Sequence, residues 1–163
     1  MKNFLNALSS SAPTPGGGGV AALSSALASA LCSMVANLTD GKKKYAEYQA
    51  DIERIIKLGE SNTSEFFDYI QKDADAFEPL SKAYGIPKDT EGRAEILEKA
   101  LLDAATTPLE LIKAQHALVP IIEELAVKGS RLAISDVAVA ATTLEAAAKS
   151  AIMNVYINTG LMT

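Results

Sequence analysis

Among its 163 residues the chain has one cysteine, Cys32, one histidine, His116, and no tryptophan. A lone cysteine excludes a disulfide framework within the chain, and one residue of each kind cannot assemble a Cys/His zinc site from a single copy. Charge is missing from an entire stretch, since no charged residue stands between Lys2 and Asp40. Basic residues are in deficit, 15 against 20 acidic ones, leaving a net charge of −5. That balance gives no field to attract nucleic acid or an anionic membrane. Strand signals are nearly absent as well, and apolar residues recur at helical spacing instead. What is present is 48 % hydrophobic residues, many of them small, in a length that suits one domain with one substantial core.

The charge-free gap raises two membrane alternatives. A helix over Val20 to Leu38 would span about 28 Å, close to the hydrocarbon thickness of a bilayer. Ser24, Ser25, Ser29, Ser33 and Asn37 interrupt it, and alanine adds little drive for insertion. A signal peptide would need an unbroken apolar core, which the Pro/Gly run at residues 13–19 breaks. The expectation is a cytoplasmic protein that buries this helix and engages no membrane.

Punctuation divides the rest of the chain. A short helix is expected over Lys2 to Leu8, and a second from Gly17 to Leu38, closed by Thr39-Asp40-Gly41 with Gly41 as the residue after the cap. Lys43 to Tyr84 reads as one long helix or two, with Gly59 to Thr63 the weak point, and Gly85-Ile86-Pro87 as the stop. Asp89 or Thr90 is expected to cap a helix running to about Ala105. Pro108 either opens the next helix or kinks the existing one, Pro120 bends it, and Gly129 ends it. A last helix opens between Ser130 and Ser135 and passes through Val155. The sum is an all-α, antiparallel bundle of about five to six helices.

Three constellations carry chemistry. Pro13-Thr14-Pro15-Gly16-Gly17-Gly18-Gly19 is a stiff turn into a helix start with bare N–H groups, an end that attracts carboxylate, phosphate or a polarised carbonyl oxygen. No Gly-Lys-Ser/Thr follows, so it is not a P-loop, and no strand precedes it as a dinucleotide fingerprint requires. Lys42-Lys43-Lys44-Tyr45 is a basic cluster in an acidic chain. At the start of a helix it would oppose the dipole and suggest an anionic ligand; beyond the end of the preceding helix that argument disappears. In Asp73-Ala74-Asp75-Ala76-Phe77, Asp73 and Phe77 share a helix face, placing a carboxylate beside a ring, while Asp75 points away. Ser135-Asp136 forms a second polar pair that helix capping would also explain.

These segments, with Val35-Ala36-Asn37-Leu38-Thr39, Pro108-Leu109-Glu110-Leu111 and Asn154-Val155-Tyr156-Ile157-Asn158, occur in an order that resembles the cyclodeaminase/cyclohydrolase family. The resemblance covers almost the whole chain and is most specific in the Pro-Thr-Pro-Gly-Gly-Gly run and the Ala-Asn-Leu-Thr segment. The chain departs from the family pattern at Ser130-Arg131-Leu132-Ala133, where asparagines are usual, and at Gly19 and Ala138. The resemblance implies a single all-α domain over residues 1–163, a homodimer, and a further C-terminal helix that this sequence does not contain. It also implies a reduced folate held near the subunit interface, with no metal and no cofactor besides the folate substrate.

The implied reaction concerns the one-carbon bridge between N5 and N10. It is hydrolysis of 5,10-methenyltetrahydrofolate to 10-formyltetrahydrofolate, or closure of 5-formiminotetrahydrofolate with release of ammonia. The second would call for a formiminotransferase, here a separate one. A third reading is a non-catalytic helical dimer. The implied catalytic groups are Asp73, as a base whose pKa apolar surroundings raise, and Asp136, on the pterin edge. The implied substrate-binding set is Pro15, Gly16, Gly17, Gly18, Asn37, Lys42, Lys43, Lys44, Tyr45, Phe77 and Ser135. Phe77 or Tyr45 would pack on a ring, and the lysines would neutralise a glutamate tail.

Overall fold

In the computed structural model, which describes residues 1–162, the helical periodicity becomes six α-helices with no strand among the described residues. They are α1 (Lys2–Leu8), α2 (Gly17–Thr39), α3 (Gln49–Tyr84), α4 (Arg93–His116), α5 (Val119–Lys128) and α6 (Ile134–Thr159). Two 3-10 turns, Lys43–Tyr48 and Arg131–Ala133, lead into α3 and α6.

The charge-free segment becomes the central helix. On α2 the small residues Ala21, Ala22, Ser25, Ala28, Ser29, Cys32 and Ala36 are buried, which lets α3 and α6 approach closely on either side. Both run antiparallel to α2. Gly18 lies against Asp73 and Ser29 bonds to Gly59 on α3; Gly17 lies against Asn154, and Thr39 meets Ser130 just before α6. Ile52, Ile55, Phe66 and Leu125 fill the space between the helices, each contributing about 1.5–3 kcal/mol by leaving water. A smaller cluster, Leu80, Ala83, Ala100, Leu101 and Ala104, joins the ends of α3 and α4. By length and composition α2 would pass for a membrane span, yet more than half of its apolar window is inside the bundle.

The structure corrects three boundary expectations and decides between the alternatives for Pro108. The expected weak point at Gly59 to Thr63 lies inside the unbroken 36-residue α3. Gly59 serves packing there: Ser29 Oγ donates to its carbonyl at 3.2 Å, Thr63 Oγ1 donates to Ser29 Oγ at 3.0 Å, and a Cβ at residue 59 would overlap Ser33 Oγ. Asp89 and Thr90 do not cap α4. Its N-cap is Gly92 at φ +77°, and Arg93 Nε secures the turn by donating to the Ile86 carbonyl at 2.8 Å. Of the two expectations for Pro108, the structure takes the one inside an existing helix: it opens no helix and lies buried within α4. The chain breaks instead at Ala117–Leu118, so that Pro120 stands in the first turn of α5, where no N–H is required. The expected glycine after α2 is confirmed, with Gly41 at φ +66°.

Candidate active site

The proline–glycine run does two things at once. A turn with a cis Thr14–Pro15 peptide delivers the chain to Gly16, the N-cap of α2. The glycines that follow then uncover polar groups of two neighbouring helices. A Cβ on Gly18 would overlap the Asp73 carboxylate, and one on Gly17 would press on the Asn154 amide at 3.2 Å. Pro13, Thr14, Gly16, Gly17, Gly18, Asp73, Phe77, Ala104, Asn154, Ile157 and Asn158 enclose a cavity of about 250 Å³. Asp73 and Phe77 share its wall, as their four-residue spacing predicts, while Asp75 faces away and accepts from Gln71 at 2.7 Å. On the far side of Pro13, Thr14 and Phe77 lies a second cavity of about 320 Å³, reaching Gln71, Glu78, Ser81 and Lys82.

Burial pushes the pKa of Asp73 above its ordinary value of 3.8, and the Gly19 N–H, directed at the carboxylate, opposes that rise. The α2 N-terminus thus already faces an anion supplied by the chain itself. With the Gly19 N–H engaged, those of Gly17 and Gly18 remain without helical partners and border the cavity. The arrangement combines a desolvated carboxylate, two free donors, an aromatic wall and two carboxamides. Such a site can take a proton from a bound nucleophile and stabilise negative charge developing on an adjacent oxygen.

The other expected site residues stand at the opposite end of the bundle. Asn37 is exposed there and donates to the Ser33 carbonyl. Lys42, Lys43 and Lys44 follow the C-terminus of α2, about 33 Å from Gly17 at 1.5 Å per residue. At that end of α2 cations complement the dipole, so the dipole argument for an anionic ligand lapses. Tyr45 Oη accepts from the Arg131 N–H at 2.9 Å, and this bond holds its pKa below the ordinary tyrosine value, with Ser130 and the charges of Lys44 and Lys42 adding to it. Lys42 Nζ reaches Ser130 Oγ at 3.5 Å. Ser135 and Asp136 occupy the first turn of α6, and neither caps it. Within one chain Asp73 and Asp136 therefore do not meet. Asn154, Ile157 and Asn158 were not among the expected site residues; the signal was their three- and four-residue spacing, which aligns them on one face of α6.

Known proteins share this arrangement of helices. The Formiminotransferase-cyclodeaminase family matches residues 1–163. A methenyltetrahydrofolate cyclohydrolase of Methylorubrum extorquens is 41 % identical over 162 residues, covering 97 % of this chain and 78 % of its own. A formimidoyltransferase-cyclodeaminase of Sus scrofa is 35 % identical over 97 % of this chain, which spans 30 % of that relative's length. The crystal structure of a formiminotetrahydrofolate cyclodeaminase from Thermotoga maritima superposes with a TM-score of 0.90 at 36 % identity, covering 100 % of this chain and 79 % of that one.

Proposed function

Because the chain belongs to the formiminotransferase-cyclodeaminase family and is an enzyme of folate one-carbon chemistry, we propose that it hydrolyses 5,10-methenyltetrahydrofolate to 10-formyltetrahydrofolate. The observation that carries this reading is the half-buried Asp73 carboxylate set beside the bare N–H groups of Gly17 and Gly18. The bridging carbon of the substrate is already an amidinium electrophile, so its hydrolysis asks for a placed water and a base; no metal is required by the chemistry. Asp73 takes a proton from water as its oxygen bonds to that carbon. The glycine N–H groups stabilise the oxygen as the adduct collapses. The bond from carbon to N5 then breaks, Asp73 returns its proton to N5, and the hydroxyl proton leaves to solvent as the formyl group forms on N10.

A cavity of about 250 Å³ suits the one-carbon bridge and its surroundings better than a whole folate. The neighbouring cavity across Phe77 offers room for an adjoining ring. A homodimer accounts for the rest. Leu27, Leu31, Met34 and Leu38 form a stripe along α2 at intervals of four, three and four; three of them are exposed, and no charge interrupts them. Two α2 helices packed antiparallel along this stripe would bring the lysine end of one copy beside the glycine end of the other. Asp136 and Lys42 to Lys44 would then serve the pterin edge and the glutamate tail from across the interface.

Decay of the near-ultraviolet absorbance of 5,10-methenyltetrahydrofolate, with and without the protein, tests the reaction. Acceleration that is lost in Asp73→Asn supports hydrolysis, whereas an unchanged rate rejects it. The deaminase reading is favoured by the names of the Sus scrofa and Thermotoga maritima proteins. It predicts ammonia release from 5-formiminotetrahydrofolate, a substrate that a formimino-transferring activity would supply.

A further inference from the structure

The reading of Asp73 as a base leaves open what holds the molecule whose proton it takes. The wall of α6 facing Asp73 carries Asn154 and Asn158, one turn apart. Each carboxamide has its orientation decided by its NH2 group. Asn154 Nδ2 donates to the Ser150 carbonyl at 2.8 Å. Asn158 Nδ2 donates to two carbonyls, Asn154 at 2.9 Å and Ala104 at 3.2 Å. Ala104 stands four residues before Pro108 within α4, and proline has no N–H to occupy that carbonyl. The proline thus frees an acceptor that anchors Asn158. Flipping either amide would set its oxygen against carbonyl oxygens, so Oδ1 must be the atom left over. Neither Oδ1 has a hydrogen-bond partner among the described residues, and the absent side chain at Gly17 keeps Asn154 uncovered.

The cavity therefore presents two neutral acceptors and one carboxylate to whatever enters it. The bridge of 5,10-methenyltetrahydrofolate carries no N–H or O–H to satisfy them. Water, with two donor hydrogens and a lone pair, satisfies two of these acceptors at a time, one asparagine oxygen and the Asp73 carboxylate. We propose that Asn154 and Asn158 form the subsite for the attacking water, an asparagine oxygen holding one hydrogen while Asp73 accepts the other, so that the lone pair faces the bridging carbon. In deamination of the protonated formimino group the same oxygens accept from the N–H groups of the leaving nitrogen, and Asp73 passes to it the proton taken from N10 as ammonia departs. This rests on the proposed one-carbon reaction at the same site. It assigns the two asparagines to the small reactant and not to the folate.

The experiment compares Asn154→Ala and Asn158→Ala with the parent enzyme in the methenyltetrahydrofolate decay assay, together with 5-formyltetrahydrofolate binding by calorimetry and thermal melting. The expected result is a fall in kcat of about 100-fold from loss of reactant placement, with KM and folate affinity within about threefold of the parent, a change too small to signify a lost folate contact. Asn158→Ala also releases the Ala104 carbonyl; if it does not fold, Asn154→Ala, whose amide has one anchor, decides alone. A third variant, Asn154→Asp, sets a second carboxylate across the cavity from Asp73. No other titratable side chain lines this cavity, and Asp75, Glu78 and Lys82 of α3 line the outer one. Its acid limb in the pH–rate profile should move to higher pH if residue 154 faces Asp73 across the cavity, and an unmoved limb would break the geometry on which the proposal stands. The split between kcat and KM in Asn154→Ala separates positioning from a merely structural role. A folded Asn154→Ala with unchanged kcat, or with KM raised and kcat intact, overturns the proposal. Parent enzyme inactive on both folates removes the reaction itself, and the subsite with it.

Discussion

The two ends of α2 answer the same helix dipole in opposite ways. At Gly18 the positive end lies under a half-buried carboxylate that the chain supplies, among glycines and carboxamides, without a basic residue in the cavity. Beyond Thr39 the negative end meets Lys42, Lys43 and Lys44, all exposed, with Tyr45 tied to Arg131. Each complements the local field, but only the first takes its charge out of water. A desolvated acid with a raised pKa is poised to exchange a proton, whereas solvated lysines can do little beyond attracting charge. The proposed reaction accordingly assigns chemistry to the glycine end and attraction to the lysine end.

The comparison breaks most completely at Asp73. Asp73→Asn should cut turnover by about 10²–10⁴-fold while folate binding persists, read from kcat and calorimetry. Stability should move the other way. The raised pKa means that the folded protein binds more protons than the unfolded chain at pH values between the ordinary carboxylate pKa and that of Asp73, so stability falls as pH rises through this window. At neutral pH the asparagine variant should consequently melt no lower than the parent, and a clear loss of Tm would contradict the burial argument.

Gly18→Ala asks whether the glycine end works by leaving room. Its Cβ would occupy the position of the Asp73 carboxylate, and displacing the base should cost about 100-fold in kcat. Retained activity would place the base elsewhere. Charges on the exposed stripe, as in Leu27→Glu with Met34→Glu, sharpen the relation between the two ends. They should give monomers by sedimentation and lose most turnover, because each α2 would then lack its partner's lysine end. An active monomer would show that the ends need not meet.

Replacing Lys42, Lys43 and Lys44 with alanine should raise KM by a few fold, in a salt-dependent manner and with kcat preserved, because exposed charges act through a screened field. The smallest effect expected is on stability, at Gly59→Ala. Helix propensity favours alanine by about 1 kcal/mol, and crowding against Ser33 costs about 1–3 kcal/mol. The net is a loss of about 0–2 kcal/mol in denaturant unfolding, and a gain of about 1 kcal/mol would show that this glycine does not serve close packing.

Helix type and count were legible in the chain because apolar spacing reports which face is buried, and residues four apart on one helix could be paired without knowing the fold. Asp73 with Phe77 is the instance. Prolines were harder to read. Pro108 and Pro120 have the same backbone chemistry, yet one lies inside a helix and the other opens one, since only tertiary neighbours decide whether a freed carbonyl finds another donor. For Pro108 that donor is Asn158, from a helix 50 residues further on.

By itself, then, the sequence determined an all-α chain, a charge-free central helix and a glycine-bared terminus, because periodicity and backbone freedom are local properties. Tertiary structure decided which groups face that terminus. Asp73 came from α3, Asn154 and Asn158 from α6, and the lysines were carried a helix length away. Such pairings depend on antiparallel registers across separate helices, set by the fit of small residues on α2 against its neighbours, and no local pattern in the chain encodes that fit.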